Sequence, residues 1–163
     1  MSAIAGRAGA SIGSLYQFFP NKLAITQALR VRYAQEYDER CAPLQTRAKT
    51  LHPEALADHL IELTMGFIED HPAFVALLDA PHSSRVPAGL RSRLRARFAG
   101  FFLARKPRMS KERAEQFAIV TLHILKAFHQ LYGETAAPQK RQFIPEFKTV
   151  LTGYFRSRMG LES

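Results

Sequence analysis

The sequence contains a single cysteine, Cys41, among its 163 residues. One thiol cannot form an internal disulfide or a paired-cysteine metal knuckle, so disulfide-stapled scaffolds are excluded. The sequence also lacks any run of about 18 uninterrupted apolar residues, which excludes a conventional membrane-spanning helix. The first residues have neither the charged segment nor the long apolar stretch of a secretory signal. We therefore expect a folded cytoplasmic protein.

Acidic residues are missing from the first 35 positions, which carry Arg7, Lys22, Arg30 and Arg32. The whole chain has 23 Lys and Arg against 14 Asp and Glu, a formal charge of +9. Local ion pairs cannot neutralise the charge at the start of the chain, so the composition favours a polyanionic partner. Nucleic acid is the first candidate, and a membrane surface is the second.

Charge alternates in sign along the middle of the chain. Residues 51–80 hold six acids and no Lys or Arg, and residues 85–113 hold ten cations against Glu112 alone. One interpretation is that neighbouring helices pair weakly across the surface. The alternative is a second anion site on the run of arginines formed by Arg91, Arg93, Arg95 and Arg97. Arg93 and Arg97 share one helix face at a spacing of four, so the run is not a single patch.

Apolar residues recur at spacings of three and four throughout, which predicts an all-α fold without a sheet. Ser2, Ser11 and Asn21 are predicted N-caps, and Gly9 is the left-handed residue that ends the first helix. Pro43 predicts the end of the third helix, before a polar linker at 45–50. The predicted helices cover 2–8, 11–18 or 19, 22–41, 53–70, 72–80, 87–105, 111–132 and 138–159. The linker is the predicted boundary between a domain at 1–42 and one at 51–163.

Residues 2–22 describe a helix-turn-helix, whose second helix enters the DNA major groove with its N-terminus first. Small residues in the first turn of that helix bring the backbone close to base edges and phosphates. Ile12 can touch a thymine methyl, and Gln17 can reach a base or a phosphate. Tyr16 and Lys22 can donate to flanking phosphates. The candidate DNA-contacting residues are Ser11, Ile12, Gly13, Ser14, Tyr16, Gln17 and Lys22.

The stretch AGASIGSLYQFFPNK resembles the recognition-helix signature of the TetR family of bacterial transcriptional regulators. The match falls at Ala8, Gly9, Ser11, Gly13, Leu15, Tyr16, Phe19, Pro20 and Lys22. The resemblance implies that the seven candidate residues face DNA. It also implies a long linking helix and a helical C-terminal domain whose last two helices form a dimer interface.

Family members begin with a basic arm and an additional first helix, whereas here Met1 directly precedes the first predicted helix. Two helices of about eight residues are not stable alone, and this pair leaves Ile4, Leu15 and Phe18 short of partners. We therefore expect an N-terminally incomplete chain, lacking the first helix of the family, with poor DNA affinity as it stands.

Both of the last two predicted helices are apolar on two sides, which is most simply satisfied if one side is buried internally and the other faces a twin subunit. The alternative is a thick monomeric bundle with a central last helix. The candidate dimer-interface residues are Leu122, Leu125, Tyr132, Phe143, Phe147, Val150, Leu151 and Tyr154.

A regulator that responds to a small molecule needs a concave, mostly apolar pocket with a few polar groups. The twelve phenylalanines favour an apolar or aromatic effector, although tight core packing would use the same side chains. The candidate effector-binding residues are His59, Leu63, Phe67, Phe98, Phe102, Phe117, Thr121, Ile124 and Phe128.

Two catalytic patterns are rejected. Residues 9–13 read G-x-S-x-G, but a hydrolase nucleophile elbow needs a strand before the serine and a parallel sheet around it. His52 and His59 are seven apart, and His123 and His129 are six apart, so neither makes the i,i+4 pair of a helical zinc site. We therefore expect no enzyme activity, no metal and no cofactor.

The hypothesis is a ligand-responsive DNA-binding homodimer, a repressor released from a palindromic double-stranded DNA operator by a small apolar or aromatic effector. It predicts no membrane partner. The alternative is a helical small-molecule carrier or sequestering protein in which the first 40 residues do not bind DNA.

Overall fold

The computed structural model describes residues 1–79 and 87–160, and this part of the chain is all-α, without a strand. The predicted fold class is therefore confirmed. The eight helices in that part are α1 (Ser2–Arg7), α2 (Ile12–Phe18), α3 (Lys22–Arg47), α4 (Pro53–Asp70), α5 (Ala73–Asp79), α6 (Ala88–Arg105), α7 (Lys111–Glu134) and α8 (Ala137–Met159). Ala80, the predicted end of the fifth helix, lies outside the described residues.

Side-chain caps start the two helices that carry the DNA-binding signature. The Ser11 hydroxyl accepts from the Ser14 backbone N–H at 3.0 Å, and the Asn21 side-chain carbonyl accepts from the Ala24 N–H at 2.9 Å. Gly9 has a φ of 62°, as its predicted left-handed role requires. These three predictions are confirmed. The predicted cap at Ser2 is wrong, because the Met1 carbonyl already accepts the first helical bonds and the helix begins one residue earlier.

The prediction that the third helix ends before Pro43 is wrong, since α3 continues through this proline to Arg47. Proline supplies no N–H for the carbonyl four residues earlier, which belongs to Glu39, an exposed residue. The helix continues because Leu44 and Ala48, beyond the proline, are buried in the core. The second half of α3 thus packs within the C-terminal helical body, across the predicted linker.

The core is rich in phenylalanine. α6 packs against α3 and α7, and α4 packs against α8 and α7. α1 and α2 pack on each other around Ala5. The largest fully buried aromatic side chains are Phe67, Phe98, Phe101, Phe102, Phe128 and Phe155. Burial of each such ring contributes about 1.5–3 kcal/mol, so the C-terminal helices hold most of the apolar stabilisation.

Candidate functional site

The predicted DNA-contacting residues lie together on the exposed surface of α2 and at the start of α3. All seven are exposed, and Ile12 and Tyr16 leave 46% and 49% of their surfaces open. The Ser11 and Ser14 hydroxyls lie 2.9 Å apart at the beginning of α2. Hydroxyls and free backbone N–H groups at a helix start are donors that fit phosphate oxygens.

Large apolar side chains are also exposed near this surface. Phe18 is 77% exposed, and Leu23 and Ile4 are 48% and 38% exposed. This agrees with the expectation that Ile4 and Phe18 lack partners, whereas Leu15 is half-buried. Within the described residues, the other exposed large apolar side chains outside residues 1–23 are Val120 and Val150.

An aromatic group, here called the tyrosine cluster, joins α3 to α4, α5 and α7, and its members range from buried to half-buried. It consists of Tyr33, Tyr37, Phe67, His71, Phe74 and His129. The Phe67 ring lies 5.2 Å from Tyr37 and 4.9 Å from Phe74, centroid to centroid, and both contacts are edge-to-face. His129 lies 5.6 Å from Tyr37 and 5.1 Å from Phe74. Such arrangements are favourable for aromatic pairs.

Three buried polar groups lie at the tyrosine cluster, two hydroxyls and one imidazole nitrogen. The Tyr37 hydroxyl and the Thr64 hydroxyl are hydrogen-bonded at 2.8 Å and fully enclosed. The Nε2 atom of His129 is buried and has no hydrogen-bond partner in the described part of the chain. Burial lowers the pKa of His129 to about 4, so the imidazole is neutral at neutral pH. A neutral imidazole nitrogen can accept or donate one hydrogen bond, depending on its tautomer.

Two ion pairs and the hydrogen bond between His71 and Glu36 close the edge of this cluster between α3 and α4. Glu36 pairs with His71 and with Arg40, both at 2.8 Å, and Arg40 also pairs with Asp70 at 2.7 Å. The hydrogen bond from His71 is the largest influence on Glu36 and lowers its pKa. These contacts fix α3 against the end of α4, next to the cluster.

The structure does not bring the predicted effector residues into one pocket. Phe67 lies in the tyrosine cluster, whereas Phe102 and Phe117 contact each other at 5.4 Å. Phe117 and Phe128 are eleven positions apart on α7, or about 16 Å along a helix. Phe98 packs against Phe101, and Phe128 packs against Phe147. The Thr121 hydroxyl donates to the Phe117 carbonyl, and the His59 ring is hydrogen-bonded to the Ala55 carbonyl. Leu63 and Ile124 are half-buried against the core.

Asp38 on α3 is fully buried and binds two arginines of α6. The Arg97 guanidinium donates to both carboxylate oxygens, through Nη2 at 2.9 Å and also through Nε. Arg93 Nε donates at 2.9 Å, and Arg97 Nη1 donates to the Gln45 side chain at 3.1 Å. Burial by itself would raise the pKa of Asp38, but the two arginines outweigh it and lower the pKa.

The sequence did not lead us to predict the ion pairs of Asp38, although the spacing of Arg93 and Arg97 indicated that they could share an acidic partner. Two arginines of the run therefore hold α6 to α3 and do not form part of a free anion site. Their partner lies on α3 and not in the acidic block at 51–80.

The family described as "Tetracyclin repressor-like, C-terminal domain" matches residues 52–155, which is more than half of the chain. The chain belongs to the TetR family. The match begins at the start of α4 and ends near the end of α8, so the residues of the DNA-binding signature lie outside it. No curated protein sequence matches the chain at a significant level. Along the described residues, none of the helices combines the length and the hydropathy required to span a bilayer.

The predicted dimer surface of this TetR-family chain is divided between the core and the exterior. Leu125, Tyr132 and Leu151 are at most 7% exposed within the single chain, and they pack in its core. Val150 is 52% exposed, and four other members of the same set, Leu122, Phe143, Phe147 and Tyr154, are half-buried. A partner can therefore reach the second group and not the first.

We expect Tyr37→Phe to lower the free energy of unfolding of this TetR-family protein by about 1 kcal/mol. The substitution keeps the ring contacts but removes the hydroxyl that pairs with buried Thr64. Chemical denaturation of both proteins measures the difference. Tyr16→Phe is the matched control, because the Tyr16 hydroxyl is on an exposed side chain. Equal losses in the two variants would contradict the buried hydrogen bond.

Proposed function

We propose that the protein is a dimeric, ligand-responsive transcriptional regulator, a repressor that leaves a palindromic operator when a small effector binds in the tyrosine cluster. The observation that carries the proposal is the continuity of α3. This helix begins at Lys22 in the exposed DNA-contacting surface, and Tyr33 and Tyr37 further along it belong to the cluster. One continuous helix thus joins the exposed DNA-contacting surface to the tyrosine cluster.

The DNA-contacting half of the proposal rests on residue types and exposure. Ser11, Ser14 and the N-terminus of α2 offer hydrogen-bond donors, while Tyr16 and Lys22 flank them with longer donors. In a dimer, two such helices would enter successive major grooves about 34–36 Å apart. The operator should then be an approximate palindrome.

The effector half rests on the tyrosine cluster. Its rings favour an apolar or aromatic ligand, and the buried Nε2 of His129 favours a ligand with one hydrogen-bonding group near an otherwise apolar body. Because its imidazole is neutral, His129 itself offers no charge to a ligand. The effector would shift the population toward the conformation it binds more tightly, and α3 would carry that change to α2.

The first test is a selection of genomic DNA on the full chain, followed by affinity measurements for the best sequence at about 50 and 200 mM salt. We expect a palindromic winner whose affinity falls at least about tenfold with Tyr16→Ala. Lys22→Ala should lower the slope of log affinity against log salt by about one. Lys111→Ala is the matched control, because Lys111 is also an exposed lysine at the first position of a helix.

Equal binding to all sequences that collapses with salt would contradict the regulator, since only the net charge would then attract DNA. In that case, retention of small aromatic ligands by the full chain would support the carrier alternative.

A further inference from the structure

A basic groove opens at the end of the molecule formed by the α6–α7 turn and the end of α8. Its volume is about 760 Å³. The lining residues include the cations Lys106, Arg108, Arg113 and Arg158, with Phe117 between two of the arginines. A volume of this size is within the range of small-molecule sites, about 300–1,000 Å³.

The groove has four cations and no carboxylate among its lining residues. The ion pairs found in residues 1–79 and 87–160 do not involve any of these four cations. The Lys106 ammonium packs closely over Gly160, at the carbonyl end of α8, which offsets part of its charge. The remaining positive potential comes mainly from the arginines, and an anion in the groove would reduce their mutual repulsion.

Phe117 holds two of the arginines at the wall of the groove. The guanidinium carbons of Arg158 and Arg113 lie 5.3 Å and 5.7 Å from the centre of its ring. These cation–π contacts orient planar groups that can bind a carboxylate or phosphate through two parallel hydrogen bonds. Met109 and Pro107 add apolar surface beside the ring. The groove therefore offers both a charged and an apolar contact.

The groove is far from the DNA-contacting surface. Arg105, at the end of α6, donates to the Lys49 carbonyl at 2.6 Å, so the groove adjoins the C-terminal end of α3. α2 precedes the other end of this 26-residue helix, about 39 Å away. An operator bound by α2 does not account for these cations. The groove is also separate from the tyrosine cluster, since Phe117 is twelve positions before His129 on α7.

We propose that this groove is a second ligand site, which binds a small amphipathic anion consisting of a carboxylate or phosphate head and an apolar body. Arg113 and Arg158 hold the head, and the apolar surface of Phe117 and Met109 contacts the body. The Ser110 hydroxyl oxygen accepts a hydrogen bond from the backbone N–H of Arg113 at 3.3 Å. The hydroxyl proton of Ser110 can therefore be donated to the anion.

The test is isothermal titration calorimetry of the full chain with phenyl phosphate, inorganic phosphate and phenol as probes. We expect one phenyl phosphate per chain, bound at least about tenfold more tightly than either of the other two probes, because each of them makes only one of the two contacts. The double variant Arg113→Gln/Arg158→Gln should weaken phenyl phosphate binding at least about tenfold. Arg141→Gln, an exposed arginine on the same helix as Arg158, should leave it unchanged.

A circular dichroism spectrum of the glutamine variant that matches wild type would show that its loss of binding is not a folding defect. Equal affinity of wild type and the glutamine variant for phenyl phosphate would overturn the proposal, as would equal affinity for phenyl phosphate and inorganic phosphate. Sedimentation with phosphatidylglycerol vesicles that depends on the two arginines, without phenyl phosphate binding, would also overturn it in favour of a membrane surface.

Discussion

Replacing Asp38 by Asn should lower the free energy of unfolding by about 3 kcal/mol, the lower end of the range for removal of one partner from a buried ion pair. The carboxylate is fully enclosed, and it receives three hydrogen bonds from Arg93 and Arg97. Asparagine keeps the size of the side chain but leaves the guanidinium of Arg97 without a counter-charge in a site that is largely closed to water. Chemical denaturation at neutral pH measures the effect.

The two arginines that bind Asp38 should contribute unequally to the free energy of unfolding. The Arg97 side chain is 18% exposed and the Arg93 side chain is 59% exposed. Arg97→Gln should therefore lower the free energy of unfolding more than Arg93→Gln, whose effect should stay below about 1 kcal/mol because water screens the exposed Arg93 guanidinium. Glu39→Gln, at the adjacent exposed position of α3, is the control and should leave the free energy of unfolding nearly unchanged. A loss for Glu39→Gln equal to that for Asp38→Asn would contradict the buried pair.

The contribution of Asp38 should also depend on pH. Its pKa is lower in the folded than in the unfolded protein, so the stabilisation is fully present above the unfolded value of about 3.9. It is lost as the pH falls through the lower folded value, when the carboxylate takes a proton. The difference in stability between wild type and Asp38→Asn should therefore shrink below about pH 4.

Local chemistry explains why much of the helical framework could be predicted from the sequence. Ser11 and Asn21 accept from N–H groups three residues away, and Gly9 adopts its left-handed conformation within its own turn. Such features depend on neighbouring residues, which a sequence displays directly. The start of α7 at Lys111 follows the same rule, because Ser110 caps it.

The features that sequence reasoning missed depend on contacts between distant helices. α3 passes Pro43 because Leu44 and Ala48 are buried in the core, and proline alone favours a break. The predicted effector set failed to form one pocket because periodicity shows which side of a helix is apolar but not the level at which another helix crosses it. Phe67 and Phe117 thus share a residue type and a predicted role, and they lie in different aromatic groups.

The second large effect is expected at Val150, where an aspartate should convert the proposed dimer into a monomer. Phe117 contacts Tyr154 and Phe128 contacts Phe147, so α7 and α8 are antiparallel neighbours. Val120 and Val150 therefore lie at similar heights on these two helices. An exposed apolar surface on the last two helices is what a twofold interface requires, since each chain offers the same patch to the other.

Val150→Asp should raise the dissociation constant of the dimer at least about 1,000-fold, because a twofold interface would bury the unpaired charge twice, at a cost of several kcal/mol. Sedimentation equilibrium across a range of protein concentrations measures the constant. Gln142→Asp, at an exposed polar position of α8, is the control and should leave it unchanged. Unchanged association in Val150→Asp, with a folded chain by circular dichroism, would move the interface away from this surface. Operator affinity should fall together with dimerisation, because a monomer presents only one α2 to two half-sites.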